Sequence, residues 1–408
     1  MNFDDTTQEA AFRAEAVAFL SSNASLKTDA LSRGKESEAE YLVRARAWQK
    51  LKSENGWACL SYPSEYGGRG ATPIESIIWQ QEEARYDVAV GPYAIGLGMC
   101  GPTVIAYASD EIKRERIPRM VAGEDIWCQL FSEPGAGSDL ANLRMRCEPD
   151  GDDWVVNGQK VWTSGAHYSD WAILITRSDP TVPKHKGLTY FFVDMKSPGI
   201  EVRPIRQISG DSNFNEVYFT DVRIPDRQRL GEVGGGWGVA LTTLMNERLA
   251  VGGTQGTDIP ELLALARQVE INGEPALNDR AVRAKIANWY CETSGLQNTK
   301  YRVISALSRG ETPGPENSIA KVVSGNKMQG IGGFAIDLMD MGGVLVGEPG
   351  SDECNSWAFQ QTFLGAPGLR IAGGTDEILR NIIAERVLGM PQDVRLDKGI
   401  PFSEVKQG

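Results

Sequence analysis

Histidine is almost missing from this chain. Its 408 residues include only His167 and His185, which argues strongly against a His-rich metal centre. A Ser-His-Asp hydrolase would have to use one of these two rings, and no Gly-x-Ser-x-Gly elbow accompanies them. The six cysteines (Cys59, Cys100, Cys128, Cys147, Cys291, Cys354) form no Cys-x-x-Cys pair and no zinc spacing. They read as reduced, mostly buried thiols rather than as a disulfide scaffold. No apolar run approaches the roughly 20 residues of a membrane span. Positive charge is in deficit: 42 Lys and Arg against 54 Asp and Glu leave a net charge of −12. That balance argues against general binding to nucleic acid or to an anionic membrane, although local basic groups can still hold an anionic ligand. The start, Met1-Asn2-Phe3-Asp4-Asp5, is acidic and lacks the basic-then-apolar order of a signal peptide, so a cytoplasmic location is expected.

What is present divides into three parts. A chain of this length can form two to three domains with sizeable cores. Residues 1–126 read mostly as helix, with expected elements at Glu9 to Leu20, Glu38 to Asn55, Pro73 to Arg85 and Asp110 to Met120. Residues 127–235 change character. Asn157-Gly158, flanked by Trp154-Val155-Val156 and Lys160-Val161-Trp162, predicts a hairpin, and further strands are expected at Trp171 to Thr176, Thr189 to Val193 and Val217 to Thr220. Residues 236–408 return to helix, notably Val282 to Leu307, where Thr293 and Lys300 interrupt the apolar stripe, and Asp376 to Leu388, stopped by Gly389 and Pro391. The glycine-rich Gly342 to Ser351 reads as a loop.

Two glycine motifs compete for attention. Gly96-Leu97-Gly98-Met99-Cys100-Gly101 has the GxGxxG spacing of a dinucleotide site, but its surroundings read as helix on both sides, which predicts a tight turn between packed helices instead. The other is Cys128-Gln129-Leu130-Phe131-Ser132-Glu133-Pro134-Gly135-Ala136-Gly137-Ser138-Asp139. Pro134 stiffens this turn, Gly135 and Gly137 let backbone N–H groups approach a ligand, and Ser132 and Ser138 add hydroxyls at either end. Such a loop suits a polar, electron-rich ligand edge.

The second motif resembles the flavin- and substrate-binding signature of the acyl-CoA dehydrogenase family, a Thr or Ser followed by Glu-Pro-x-Ala-Gly-Ser-Asp. The Lys160-Val161-Trp162-Thr163-Ser164 strand and the Gly373-Gly374-Thr375-Asp376-Glu377-Ile378 segment resemble the same family. The resemblance implies an α+β fold with an N-terminal helical domain, a middle small β-barrel and a C-terminal four-helix bundle. It implies an FAD enzyme of lipid catabolism that converts an acyl-CoA to the trans-2-enoyl-CoA and passes electrons to an electron-transfer flavoprotein. By the same correspondence Gln129, Phe131, Ser132, Trp162 and Ser164 surround the flavin ring, Thr375 and Glu377 reach its pyrophosphate and adenosine, and Ser138 contacts the acyl-CoA.

Many members of that family carry a catalytic Glu at the position held here by Gly373, which cannot accept a proton. A subset, resembling isovaleryl- and long-chain acyl-CoA dehydrogenases, places the Glu on a helix after the β domain, and Glu247 falls at that position. The Gly373 N–H would then bind the thioester oxygen. In the helix itself Leu241, Leu244, Met245 and Leu249 form an apolar stripe with Arg248 in its middle, where a charge calls for an anionic or carbonyl partner. Arg267 to Asn278 lacks the Arg-x-x-Phe element with which relatives clamp the flavin adenosine. Assembly is therefore open between a homodimer or homotetramer and a heterotetramer with a homologous subunit. Two other functions stay open: a non-catalytic or half-site subunit of a complex acting on bulky or steroid side-chain thioesters, and another flavin oxidation or hydroxylation on the same fold.

Overall fold

The computed structural model describes residues 5–27, 36–250, 257–309, 314–345 and 355–405. The chain packs as two compact units. Met1–Ala24, Ser37–Ala250 and Asp393–Gly408 make the first, and Ser25–Glu36 with Val251–Gln392 make the second. Helices occupy the chain up to Val121, seven strands run from Trp127 to Pro225, and helices return at Gly236. The order along the chain is the expected helix–strand–helix. The helix Gly236–Ala250 packs with the first unit. None of the described helices is long and apolar enough to cross a membrane.

Local chemistry explains where the early helices begin. Thr7–Asn23, Glu38–Glu54 and Pro73–Glu83 each open on a capping box, formed by Thr6 and Glu9, Ser37 and Glu40, and Thr72 and Glu75. Each hydroxyl accepts from the Glu backbone N–H, and each Glu carboxylate accepts from the cap's own N–H, so two otherwise unpaired donors are satisfied together. These helices bury an aromatic cluster in which Trp57 and Trp79 stack at 4.6 Å, with Phe19 at 5.7 and 6.0 Å from them.

The Gly96 to Gly101 segment is not a turn. Gly91–Ile95, a π-helical turn over Gly96–Cys100, and Gly101–Tyr107 follow one another directly. Gly96 and Gly101 have right-handed φ values of −56° and −59°, so conformational freedom is not why glycine stands there. Space is the reason. A Cβ on Gly96 would lie 3.3 Å from the Trp127 Cβ, and one on Gly101 would overlap the Tyr62 hydroxyl, which donates to the Leu97 carbonyl at 2.6 Å. Helix flanks the motif on both sides where a dinucleotide fold needs a preceding strand.

The sheet comprises β1 (Trp127–Leu130), β2 (Arg146–Asp150), β3 (Asp153–Ser164), β4 (Trp171–Arg177), β5 (Leu188–Asp194), β6 (Ile200–Ile205) and β7 (Phe214–Pro225). Along one side of β4 runs antiparallel β5; along the other lie parallel β1 and, at Arg177, β2, followed by β3, β7 and β6. The hairpin expected at Asn157-Gly158 is absent, because β3 continues straight through it. The reversal occurs earlier, where Asp150 pairs with Asp153 across Gly151-Asp152. Gly158 instead sits at a register shift against β7 with φ of 145°, a bulge that lets one long strand bend. Asn157 serves the bulge by exchanging two 2.9 Å hydrogen bonds with Asp221, through its amide N–H to the carboxylate and its carbonyl to the Asp221 N–H.

In the second unit, Ile259–Gln268 is capped by Asp258. The buried Lys327 of helix Asn317–Met339 donates to both Asp258 oxygens, at 2.9 and 2.8 Å, and to the Thr293 hydroxyl at 2.8 Å. Thr293 interrupts the apolar stripe of Arg280–Ser308 because that ammonium needs it as a partner. Residues 267–278, which lack the Arg-x-x-Phe element, turn through a small hairpin of Glu270–Ile271 and Glu274–Pro275, with Asn272 and Gly273 at φ of 55° and 82°. The glycine-rich stretch expected as a loop, Gly342 to Ser351, begins in the 3-10 turn Asp340–Val344, and residues 346–351 lie outside the described residues.

The π-helical segment generates a stability prediction. Gly101→Ala should lower the unfolding free energy by about 1–3 kcal/mol through overpacking against Tyr62. A denaturant titration reads this, and an unchanged midpoint would mean that the helix can shift away at no cost.

Candidate active site

β1 delivers the chain into the 131–139 loop, and the loop is closed on itself. Glu133 and Ala136 exchange backbone hydrogen bonds at 2.9 and 3.0 Å, leaving Pro134 and Gly135 at the tip. Beneath the tip lies a buried ion pair. Lys160, fully buried on β3, donates to the Glu133 carboxylate at 2.9 Å and to the Phe131 carbonyl at 2.9 Å. The same carboxylate accepts from the backbone N–H groups of Arg144 at 2.6 Å and Met145 at 3.0 Å. Burial pushes the Lys160 ammonium below the usual lysine range, with Glu133 opposing the shift. One residue on, the Val161 N–H donates to the Ser132 carbonyl at 2.8 Å. Loop and strand are thereby locked side by side.

Trp162 stands next on that strand and is the outlier of the site. Its backbone is left-handed, with φ of 60°, a state that costs a side-chain-bearing residue about 1–2 kcal/mol. The ring gains little in return within the chain, since it is 59% exposed and meets Phe214 edge-on at 6.0 Å. The register of β3 against β7 slips between Lys160 and Thr163. Anchors on both sides hold the slip in place: the Lys160 pair before it, and after it buried Asn215, whose amide N–H donates to the Thr163 carbonyl at 2.9 Å. Asn215 also meets His167 Nδ1 at 3.1 Å, while His167 Nε2 lies 3.0 Å from Glu38. This histidine is thus engaged in fixing the bulge.

The other expected ring-side residues differ in exposure. Ser132, Ser164 and Gln129 are partly buried. Phe131 is buried, with its ring edge-on to Tyr190 at 5.9 Å. Ser138 is exposed, and neighbouring Asp139 pairs with Lys184 at 2.8 Å. A Cβ on Gly135 or Gly137 would enter open space, and neither residue has a positive φ. Neither backbone conformation nor internal packing therefore asks for glycine at these two positions, which leaves room for a ligand to approach the loop.

In the second unit Gly373 and Gly374 have φ of 65° and 95°. Thr375 caps helix Asp376–Ile382 by accepting from the Ile378 N–H at 3.2 Å. Glu377 is exposed, whereas Asp376 is buried between Arg370 at 2.7 Å and Asn326 at 3.0 Å. Burial raises the Asp376 carboxyl, but those two donors outweigh it and hold the group below the usual carboxylate range.

Glu247 and Arg248 lie in the helix Gly236–Ala250, and their side chains fall outside the described residues. Of the apolar stripe expected there, Leu244 packs against the core, and the Leu249 side chain lies outside the described residues. Leu241 and Met245 are 43% and 56% exposed, while Gly236, Val239, Ala240 and Thr243 are buried. The helix docks through these small residues, through Leu244 and Trp237, and through hydroxyls: the Thr243 Oγ1 lies 2.9 Å from both Thr103 Oγ1 and Tyr190 Oη, and the Thr242 Oγ1 lies 2.9 Å from Tyr107 Oη. A count of large apolar residues could not find all of that face. The Glu133–Lys160 pair also escaped the sequence reading, although a lysine inside an apolar strand is itself a signal that a buried partner exists.

Comparison with known proteins follows the same three segments. Family models for the acyl-CoA dehydrogenase N-terminal, middle and C-terminal domains match residues 6–124, 128–222 and 234–388. Acyl-CoA dehydrogenase IpdE1 of Mycobacterium tuberculosis (strain ATCC 25618 / H37Rv) is 36% identical over 392 residues, covering 94% of this chain and 98% of that protein. The ChsE4-ChsE5 complex from Mycobacterium tuberculosis has a TM-score of 0.77 at 27% identity, covering 96% of this chain and 100% of the matched one. The Tcur3481-Tcur3483 steroid ACAD scores 0.78 at 27% identity with coverage of 96% and 100%. A glutaryl-CoA dehydrogenase from Mycobacterium smegmatis, in complex with FADH2, shares the fold at a TM-score of 0.73 and 19% identity, covering 96% of this chain and 97% of that one.

Replacing Lys160 by Met should cost about 3–5 kcal/mol, since it strands the Glu133 charge in the interior. Thermal or urea unfolding tests this. The double replacement Lys160→Met with Glu133→Gln should recover part of the loss, and equal destabilisation of single and double variants would show that the charge pair is not the cause.

Proposed function

The chain belongs to the acyl-CoA dehydrogenase family, and on that premise we propose that it uses FAD to desaturate an acyl-CoA thioester between Cα and Cβ. The exposed, left-handed Trp162 carries this reading. Strain at an exposed aromatic ring persists where surrounding anchors impose it, and here it presents a flat apolar face beside the Ser132 loop. A flat, polar-edged ring system fits that face together with the open space over Gly135 and Gly137.

When bound, FAD supplies the acceptor for the Cβ hydride. Trp162 packs against its ring, the Ser132 and Ser164 hydroxyls offer hydrogen bonds to the ring's polar edge, and Gln129 and Phe131 flank it. Thr375 and Glu377 hold the dinucleotide end. Ser138 and Arg248 hold the acyl-CoA, and the Gly373 N–H binds the thioester oxygen, where negative charge develops as the Cα proton leaves. Glu247 takes that proton. Two observations favour this base: Gly373 offers no carboxylate, and its φ of 65° is a backbone state suited to glycine. Domain limits of 1–126, 127–235 and 236–408 go with this reading. Electrons leave to an electron-transfer flavoprotein.

A second reading concerns assembly. The similar ChsE4-ChsE5 and Tcur3481-Tcur3483 structures each contain two differently named chains. Together with the short hairpin in place of an Arg-x-x-Phe clamp, they favour this chain as the base-bearing half of a heteromer acting on a bulky or ring-bearing thioester over a self-sufficient homo-oligomer.

The deciding experiment records the flavin spectrum of the purified chain, alone and co-expressed with a homologous partner, against a panel of straight, branched and ring-bearing acyl-CoA thioesters. Bleaching by at least one is expected, and bleaching by none in either preparation would overturn the assignment. Glu247→Gln should keep the flavin and slow bleaching by about 10²–10⁴-fold; full activity would remove Glu247 from the role. Trp162→Gly should weaken flavin retention while leaving the unfolding midpoint equal or higher, because glycine relieves the left-handed strain.

A further inference from the structure

The last described stretch of the chain returns to the first unit. Residues 393–405 follow the matched C-terminal segment, which ends at 388, and they pack with the β sheet's unit. Three sets of contacts hold them there. The Phe402 N–H donates to the Val182 carbonyl and the Ser403 N–H to the Pro180 carbonyl, both at 2.9 Å, so the stretch lies along the connection between β4 and β5. The buried Phe402 ring receives the Arg177 guanidinium 3.5 Å from its centroid. Arg177 is itself buried and donates to the carbonyls of Leu143 at 3.0 Å, Ala141 at 2.6 Å and Lys184 at 3.2 Å.

The third contact reaches the 131–139 loop. Lys184, whose side chain is 11% exposed, donates to both oxygens of Asp139 at 2.9 and 2.8 Å, and the same ammonium pairs with Asp397. Asp139 directly follows Ser138. The neighbouring His185 ring packs edge-on to Trp237 at 4.9 Å, at the start of the helix that carries Glu247.

We propose that residues 393–405 are a strap that sets the conformation of the substrate loop, with Lys184 as the positioning residue that joins Asp397 of the strap to Asp139 of the loop. The proposal rests on the reading of Ser138 as a thioester contact. An ammonium has three N–H donors. With the strap docked, they are divided between two carboxylates, the half-exposed Asp139 and the partly exposed Asp397, while the Lys184 side chain itself is largely buried. Without Asp397 one donor of a largely buried charge loses its partner, water enters, and the Asp139 side of the loop gains freedom. Substrate binding must then order the loop again, so the cost falls on KM rather than on kcat. Linkage makes the effect mutual: whatever the strap contributes to ligand affinity, the ligand returns to strap docking.

Two measurements on the flavin-loaded, full-length protein test this. Asp397→Asn and Lys184→Met should each raise KM ~10-fold for a thioester that bleaches the flavin, with kcat within about twofold, and Lys184→Arg should restore most of the affinity. In parallel, free coenzyme A should slow tryptic cleavage after Arg395 and Lys398 in the wild type, and less so in Asp397→Asn. Wild-type KM in both variants, Arg performing no better than Met, or coenzyme A protecting wild type and variant equally would each overturn the strap. If coenzyme A neither perturbs the flavin spectrum of the wild type nor protects it, the thioester reading of the loop fails as well, which separates the two failures.

Discussion

One buried ion pair underlies the candidate site. Lys160 and Glu133 are both out of water, and each would be costly alone. Together they join a strand to a loop that would otherwise be a free surface turn. The Glu133 carboxylate adds the backbone of Arg144 and Met145 to the junction, so the loop is held at its entry, its tip and its exit. Because the pair fixes β3 at Lys160 and Asn215 fixes it again at Thr163, the slip between them falls on Trp162. The exposed aromatic face is thus a consequence of two anchors whose spacing does not match the neighbouring strand.

The helix–strand–helix order was legible in the residues, the buried pair was not, and the failures have physical causes. Helix starts could be read because a capping box is a local, covalently adjacent device. The signature loop could be read because Pro and Gly restrict or free the backbone wherever they occur. The dipeptide Asn-Gly could not be read alone. At 272–273 it makes a two-residue hairpin, while at 157–158 it makes a bulge in a strand that carries on. The difference lies in the neighbours. Gly151-Asp152 had already reversed the chain a few residues earlier, and β7 was available to pair on both sides of the bulge. The tight turn expected at Gly96 to Gly101 failed for a related reason, since Gly96 and Gly101 answer to the Trp127 and Tyr62 side chains, which arrive from distant parts of the sequence.

The helix Gly236–Ala250 shows a third limit. Hydrophobicity pointed to Leu241, Leu244, Met245 and Leu249; Leu244 does pack against the core, but Leu241 and Met245 stand exposed and the most buried positions are Gly236, Val239, Ala240 and Thr243. Close approach between backbones favours small residues, and a buried hydroxyl triad with Thr103 and Tyr190 supplies direction that oily contact lacks. The proposed base therefore sits on a helix anchored by hydrogen bonds of fixed geometry. Its neighbours Leu241 and Met245 are left free to meet a ligand or another chain.

The return of residues 393–405 to the first unit also has a temporal meaning. Residues 251–392 form the body of a separate compact unit, so the second unit is in effect an insertion within the first. A chain made from its N-terminus onward cannot close the Asp139–Lys184–Asp397 junction until residues 251–392 have been synthesised and Asp397 has followed them. The loop read as the substrate site is therefore among the last parts of the first unit to be completed, after the whole second unit has emerged.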